Sequence, residues 1–275
     1  MAKVAKINES PFDCCEQDNE IERLHASTPP YSVLAPRHGS GFFIGQLFMI
    51  EMTINDWLGM SGVDKTMWLE KNMPASKKSI AFRKAVYGFG RNDAGYITTI
   101  TIEKKEASCP AYRAWKRMLE RCYSDKFVKQ NPTYDGVTVC SDWHSFMAFR
   151  GWWLENQVDG YQLDKDIIGD GKVYSPVNCI FIPHWLNNFT NDHEAGRGSN
   201  PIGVSHCKRT GRYISLCRNP ITRNQEALGY CSIALDAHNA WMRRKLQLAL
   251  HLKPHMDKID ARIYHEVVDI ITSKE

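Results

Sequence analysis

Hydrophobic and polar positions divide the chain into stretches of different period. Residues 1–38 mix charge, Ser, Pro and short apolar pieces without a repeat, and Thr28-Pro29-Pro30 breaks any element there, so a loosely ordered arm is expected. A mostly apolar, β-like run follows within Gly41–Met52, from Phe42 to Ile50. Thr53 with Asp56 three residues on has the form of a capping box, which predicts a short helix through Trp57–Met60. Gly62 reads as its break, and Asp64 as the cap of a second helix carrying Met67, Trp68 and Leu69. Two short helices about a glycine make 39–90 a small helical module. The pattern suits a helix-turn-helix and equally any αα-hairpin.

The central stretch has a stronger period. Pro110 suits the first position of a helix, and Tyr112, Trp115, Met118, Leu119 and Cys122 fall on one face of it. Val137–Cys140 is expected as a short strand. Ser141 then caps a helix whose Trp143, Phe146, Phe149 and Trp153 face inward. These aromatics read as core, not as base-stacking platforms. Tyr161–Ile168, a glycine turn (Gly169-Asp170-Gly171), the strand Asn178–Ile182 and a helix opened by Pro183 make the outline strand, loop, strand, short helix. Asn191–Asn200 reads as a linker. Beyond it, Gly203–Ser205, Tyr213–Leu216 and Ala227–Tyr230 are three short strands, with Thr210-Gly211 as a turn. A helix over about Ser232–Leu250 follows, with Ala234, Ala237, Trp241 and Leu248 on one face. A last helix is expected in 253–275.

Charge changes this picture more than bulk composition does. The net charge is only +4, yet Gly196–His255 holds ten Lys or Arg against two acids, Glu226 and Asp236. So lopsided a segment is the electrostatic footprint of a polyanion partner, with a solvated surface as the plain alternative. No apolar run approaches bilayer length, and the opening residues lack secretion features, so no membrane and a cytoplasmic location are expected. The nine cysteines include no Cys-x-x-Cys pair and read as buried thiols. A zinc site from Cys109, Cys122, Cys140 and Cys179 has no support in their spacing.

Several segments resemble a phage-encoded HNH homing-endonuclease family. They are Ala111–Tyr123 (AYRAWKRMLERCY), Val139-Cys140-Ser141-Asp142-Trp143, and Leu163-Asp164-Lys165-Asp166 leading to Tyr174-Ser175-Pro176-Val177-Asn178-Cys179. Gly203-Val204-Ser205 through Thr210-Gly211-Arg212-Tyr213 to Leu228-Gly229-Tyr230 resembles the APETALA2-type DNA-binding domain, which often follows the nuclease in phage homing enzymes. Together these pieces span roughly residues 87–250.

The resemblance implies an α+β, multi-domain protein. Its parts are the arm, the helical module, an HNH-like ββα-metal core over 105–192, a three-stranded sheet and helix that bind DNA over 200–252, and the terminal helix. In the family pattern an Asp-His pair opens the ββα unit, a middle Asn braces its loop, and a final Asn or His completes the metal site. The matching positions are Asp164, Lys165, Asn178 and Asn187. Asp164 and Asn187 would hold one divalent cation, Mg²⁺ by its preference for hard oxygen ligands, at a duplex DNA substrate.

Lys165 departs from the pattern, which wants histidine as general base. Flanked by Asp164 and Asp166, a lysine stays cationic and is suited to binding phosphate or neutralising charge, not to taking a proton from water. His184, three residues before Asn187 on the same helix face, is the candidate replacement; a surface or capping histidine is its plain reading. On the sheet module Lys208, Arg209, Arg212 and Arg218 are the expected DNA contacts. Arg243-Arg244-Lys245 is expected as a phosphate contact or a solvated face. The runner-up function is a catalytically degenerate phage DNA-binding or regulatory protein with the same fold. A protein–protein adaptor built on the tryptophan-rich core is a third reading.

Overall fold

Capping decides where the first helices begin. In the computed structural model, which describes residues 52–191 and 199–274, Thr53 and Asp56 close a capping box through two reciprocal bonds of 3.1 Å, and α1 runs over Ile54–Gly59. The expected arm, the β-like run over 42–50 and most of the expected linker lie outside the described residues. The second helix, α2 (Gly62–Asn72), corrects the reading of Gly62 as a breaker. Ser61 is its cap, accepting the Asp64 N–H at 3.0 Å, and Gly62 opens the helix. Glycine suits this position because the Asp159 carboxylate accepts the Gly62 N–H at 3.0 Å, where a Cβ would meet that carboxylate at 2.8 Å.

A short α3 (Lys77–Ala81) leads to an antiparallel hairpin, β1 (Thr99–Ile102) with β2 (Lys105–Ser108), turned by Glu103 and Lys104 at positive φ. The turn residues lack the Asn-Gly or Asp-Gly signal of such hairpins, so the sequence pattern does not reveal it. The long amphipathic α4 (Pro110–Tyr123) buries Ala111, Trp115, Met118 and Leu119, as its apolar stripe predicts. It is followed by α5 (Asp125–Gln130) and β3 (Thr138–Val139). Ser141 does not cap the next helix. It starts a 3₁₀ turn, Ser141–His144, and Ser145 caps α6 (Phe146–Asn156) by accepting the Ala148 N–H at 3.1 Å.

The strand–loop–strand–helix outline is present as β4 (Gln162–Asp164), β6 (Ile180–Ile182) and α7 (His184–Thr190), with β4 and β6 antiparallel. Within the loop, β5 (Val173–Tyr174) runs parallel to β3, which ties the hairpin to the aromatic core. Then β7 (Val204–Cys207), β8 (Arg212–Arg218) and β9 (Gln225–Cys231) form an antiparallel sheet in the order β7-β8-β9. It is backed by α8 (Ala234–Asp257), and α9 (Ile263–Thr272) packs on α8. The architecture is mixed helix and sheet, an α+β arrangement. No helix among the described residues is long and apolar enough to cross a membrane.

Two buried apolar clusters hold these elements. In the first, Trp115, Trp143, Phe146 and Phe149 interlock between α4 and α6. Trp143 meets Phe149 edge-on at 5.0 Å between ring centroids, and the Trp115 indole N–H donates to the Trp143 carbonyl at 2.7 Å. The second joins Ile167, Ile182, Leu186 and Phe189 to Cys217, Trp241, Leu248, Met256 and Ile263. Strand β6 takes part in both, because successive strand side chains point to opposite faces: Phe181 enters the first cluster and Ile182 the second. Residues expected in two modules, 105–192 and 200–252, therefore share one apolar cluster. The expected boundary at 252/253 falls inside the continuous α8.

Candidate active-site cleft and basic sheet face

The register of the β4–β6 hairpin places the first group of candidate residues. Gln162 pairs with Ile182 and Asp164 with Ile180, so these four share one face of the hairpin, where α7 buries Leu186 and Phe189. Asp164 Oδ1 accepts the N–H groups of Asp166 and Ile167 at 3.0 and 2.9 Å, an Asx-type turn that ends the strand. Its other oxygen takes no hydrogen bond from the described residues. Burial pushes the Asp164 carboxyl above the usual carboxylate range, opposed in part by the Ile167 N–H.

Asn187 Nδ2 donates to Gln162 Oε1 at 2.7 Å, and its Oδ1 accepts from Asn191 at 3.1 Å. Asp164 and Asn187 both line one cleft of about 620 Å³. The pair suits a hard divalent cation: a buried carboxylate with one oxygen open and an amide oxygen with a lone pair to spare. Mg²⁺ sites typically combine one or two protein oxygens with water and phosphate oxygens. No group of three or more His, Cys, Asp or Glu among the described residues is arranged to hold a metal, so the four cysteines considered for zinc do not assemble. Burial pushes the Cys122 and Cys179 thiols up to about 12, which keeps both protonated at neutral pH.

Lys165 lines the cleft but is itself only 4% exposed. Its Nζ lies 2.6 Å from Asp166 Oδ1 and 5.2 and 5.6 Å from the ring centroids of Tyr134 and Tyr174. An ammonium held by a carboxylate and two ring faces is a fixed cation. His184 is exposed and does not line the cleft. Its Nδ1 lies 3.2 Å from Gln162 Nε2 and its Nε2 2.9 Å from Asn188 Nδ2. Gln162 thus bridges His184 to Asn187. Sequence reasoning passed over Gln162, although the period-2 rule puts it on the face of Asp164.

Asn178 sits at the base of the loop, where its Nδ2 donates to the Val173 carbonyl at 3.2 Å and its backbone N–H reaches Ser175 Oγ at 3.3 Å. Gly169 makes room for it: a Cβ there would come within 2.8 Å of Asn178 Cβ and 2.6 Å of the Lys165 carbonyl. A second group missed by sequence reasoning is Arg113, Arg117 and Arg121, all lining the same cleft from α4. Their four-residue spacing is legible in the sequence, but that this face of α4 lines a cleft depends on the packing of the helix.

The sheet face is built by the same alternation. Ser215 and Cys217 are buried under α8, so Arg212, Ile214, Leu216 and Arg218 lie on the opposite, free face of β8. Arg212 donates to the Tyr230 carbonyl at 3.0 Å, and its guanidinium lies 6.0 Å from the Tyr230 ring centroid. Tyr230, half exposed, was not among the expected contacts. Lys208 and Arg209 occupy the exposed β7–β8 turn. The acid of β9, Glu226, faces α8, where Arg244 binds it through two bonds of 2.7 and 3.0 Å. Those bonds hold its carboxyl down at about 2. The free face therefore carries arginine with no strand acid beside it.

The reading of Arg243-Arg244-Lys245 as a phosphate contact or a solvated face is corrected for two of the three by the same contacts. Arg244 is committed to Glu226, and Lys245 is buried with its Nζ 3.8 Å from the Phe189 ring centroid.

Comparison with protein-family models, with curated proteins and with solved structures finds no match for this chain.

Proposed function

We propose that the protein binds duplex DNA and cuts its phosphodiester bonds as a metal-dependent endonuclease of the HNH homing type. The observation that carries this reading is the convergence of Asp164 and Asn187 on one arginine-lined cleft beside a β4–β6–α7 unit. The free face of the β7–β8–β9 sheet supports it, with Arg212 and Arg218 on the face and Lys208 and Arg209 in the adjoining turn, placed to grip phosphates and base edges. Asp164 and Asn187 would hold one divalent cation, expected to be Mg²⁺, which when bound polarises the scissile phosphate and stabilises the leaving 3′ oxygen. Gln162 orients the Asn187 amide. Lys165 supplies a fixed positive charge in the cleft wall, and Asn178 braces the loop that carries Asp164 and Lys165.

A specific observation favours a second reading, a catalytically degenerate DNA-binding or regulatory protein. The position that would bear the base holds Lys165, locked against Asp166, and His184 stands outside the cleft. Supercoiled-plasmid cleavage with Mg²⁺ or Mn²⁺ separates the two, using wild type, Asp164→Ala and Lys165→His. The plasmid carries DNA from the neighbourhood of the gene, since homing enzymes need their own site. Nicking by wild type that vanishes in Asp164→Ala establishes the enzyme. Activity gained only in Lys165→His, or binding without cutting in all three, establishes the degenerate binder.

A further inference from the structure

The face of α4 that looks into the cleft is built for an anion. Its N-terminus, at Pro110, lines the cleft, has no side-chain cap from Cys109 and carries no acid in its first turn. A helix of this length carries a partial positive charge at that end. Arg113 and Arg117, one turn apart, extend the same face. Both are exposed, and neither guanidinium makes a hydrogen bond or ion pair with the described residues. Arg121 continues the row one turn further and reaches the Tyr174 hydroxyl at 3.5 Å, beside the ring over which Lys165 sits.

The acids nearby are occupied or belong to the proposed metal site. Glu120 faces Tyr87, Asp159 accepts the Gly62 N–H, Asp166 holds Lys165, and Asp164 lines the same cleft. Three arginines at four-residue spacing thus form a row of cations along a cleft whose lining also includes Asp164, the carboxylate proposed to hold the metal.

We propose that α4 is the strand-docking wall of the cleft, with Arg113 and Arg117 holding the backbone phosphates that flank the phosphodiester presented at Asp164. The inference rests on reading the cleft as a phosphodiester-cleaving site, and it adds a DNA contact separate from the sheet face.

The test compares wild type, Arg113→Gln/Arg117→Gln and Arg212→Gln/Arg218→Gln. Binding is followed by fluorescence anisotropy of a labelled mixed-sequence duplex between about 50 and 200 mM salt, where each phosphate contact contributes about 0.9 to the slope of log affinity against log salt. The α4 variant should lose nearly two units of slope. In plasmid nicking it should raise KM about tenfold with kcat little changed, as expected when uniform binding is removed. An unchanged thermal midpoint shows that the fold is intact.

If wild type binds duplex and only the sheet variant changes the slope, the α4 proposal is overturned while the DNA-binding reading stands. If wild type binds no duplex at all, both fall together.

Discussion

The Lys165 ammonium lies 2.6 Å from the carboxylate of the very next residue, Asp166, with the lysine side chain 5% exposed and the aspartate 58%. In a regular strand, neighbours point to opposite faces and cannot pair. They meet here because Asp164 turns the backbone by accepting two successive N–H groups, which ends the alternation at the close of β4.

That geometry separates charge from packing at Lys165. Asp166→Asn removes a partner that is more than half exposed, so the change in urea midpoint should be small, well under 1 kcal/mol. Lys165→Ala removes a buried stem packed beside Tyr134 and Tyr174 and should cost more, about 1–3 kcal/mol. Equal effects of the two substitutions would show that the ion pair, not the packing, holds this segment.

Asp164→Asn should remove nicking while leaving the protein as stable as wild type, or more so, at pH 7. Burial raises the folded-state pKa of Asp164 above its unfolded value. The stability it contributes is therefore complete below the unfolded pKa and is lost as pH rises through the folded one. Asparagine keeps an oxygen for the Asp166 and Ile167 N–H groups and carries no charge. Thermal melts at pH 7 and pH 4 check this: the advantage of the variant should shrink at the lower pH. A variant less stable than wild type at pH 7 would refute it.

Lys245 offers a pH test in the alkaline range. Burial lowers its pKa from 10.5 to about 8, with its Nζ over the Phe189 ring. For a base with a depressed folded-state pKa, stability rises with pH between the folded and unfolded values, because the unfolded chain then binds more protons. Lys245→Met should flatten that rise between about pH 8 and 10 and stabilise the protein at pH 7. The gain is on the order of 3 kcal/mol at most from a shift of this size. Urea denaturation at the two ends of the range reads both effects, and parallel curves for variant and wild type would contradict them.

Gly203→Ala should strongly destabilise the sheet module. Gly203 has φ of +78°, and a Cβ there would lie 2.1 Å from the Trp241 ring. Backbone strain and overpacking act together, for about 2–4 kcal/mol. Because Trp241 belongs to the cluster shared with α7, the loss should appear as one lowered cooperative transition in a thermal melt, not as separate melting of the sheet. An unchanged midpoint would mean that Trp241 moves aside freely.

How much of this was legible beforehand follows from the range of the forces involved. Local periodicity and capping are written in neighbouring residues, so the apolar stripe of α4, the capping box at Thr53 and the outlines β4–loop–β6–α7 and β7–β8–β9–α8 follow from the sequence. The uneven charge of residues 196–255 is equally explicit. At Ser61 and Ser145 the caps differ from the expected Asp64 and Ser141, because two polar residues stand close enough for either to serve and the backbone geometry chooses between them.

Contacts between distant segments belong to the tertiary structure. The sequence shows Arg113, Arg117 and Arg121 at helical spacing, but only packing of α4 against its neighbours puts them in the lining of the same cleft as Asp164. It shows a basic triplet at 243–245, which the sheet and α7 then divide into one exposed arginine, one ion pair and one buried ammonium. It shows an unbroken apolar run in β6, yet the joining of both clusters through Phe181 and Ile182 needs both layers in place. Which side chain is buried, and beside what, depends on residues far away in the chain, because burial is a property of the assembled surface and not of any local segment.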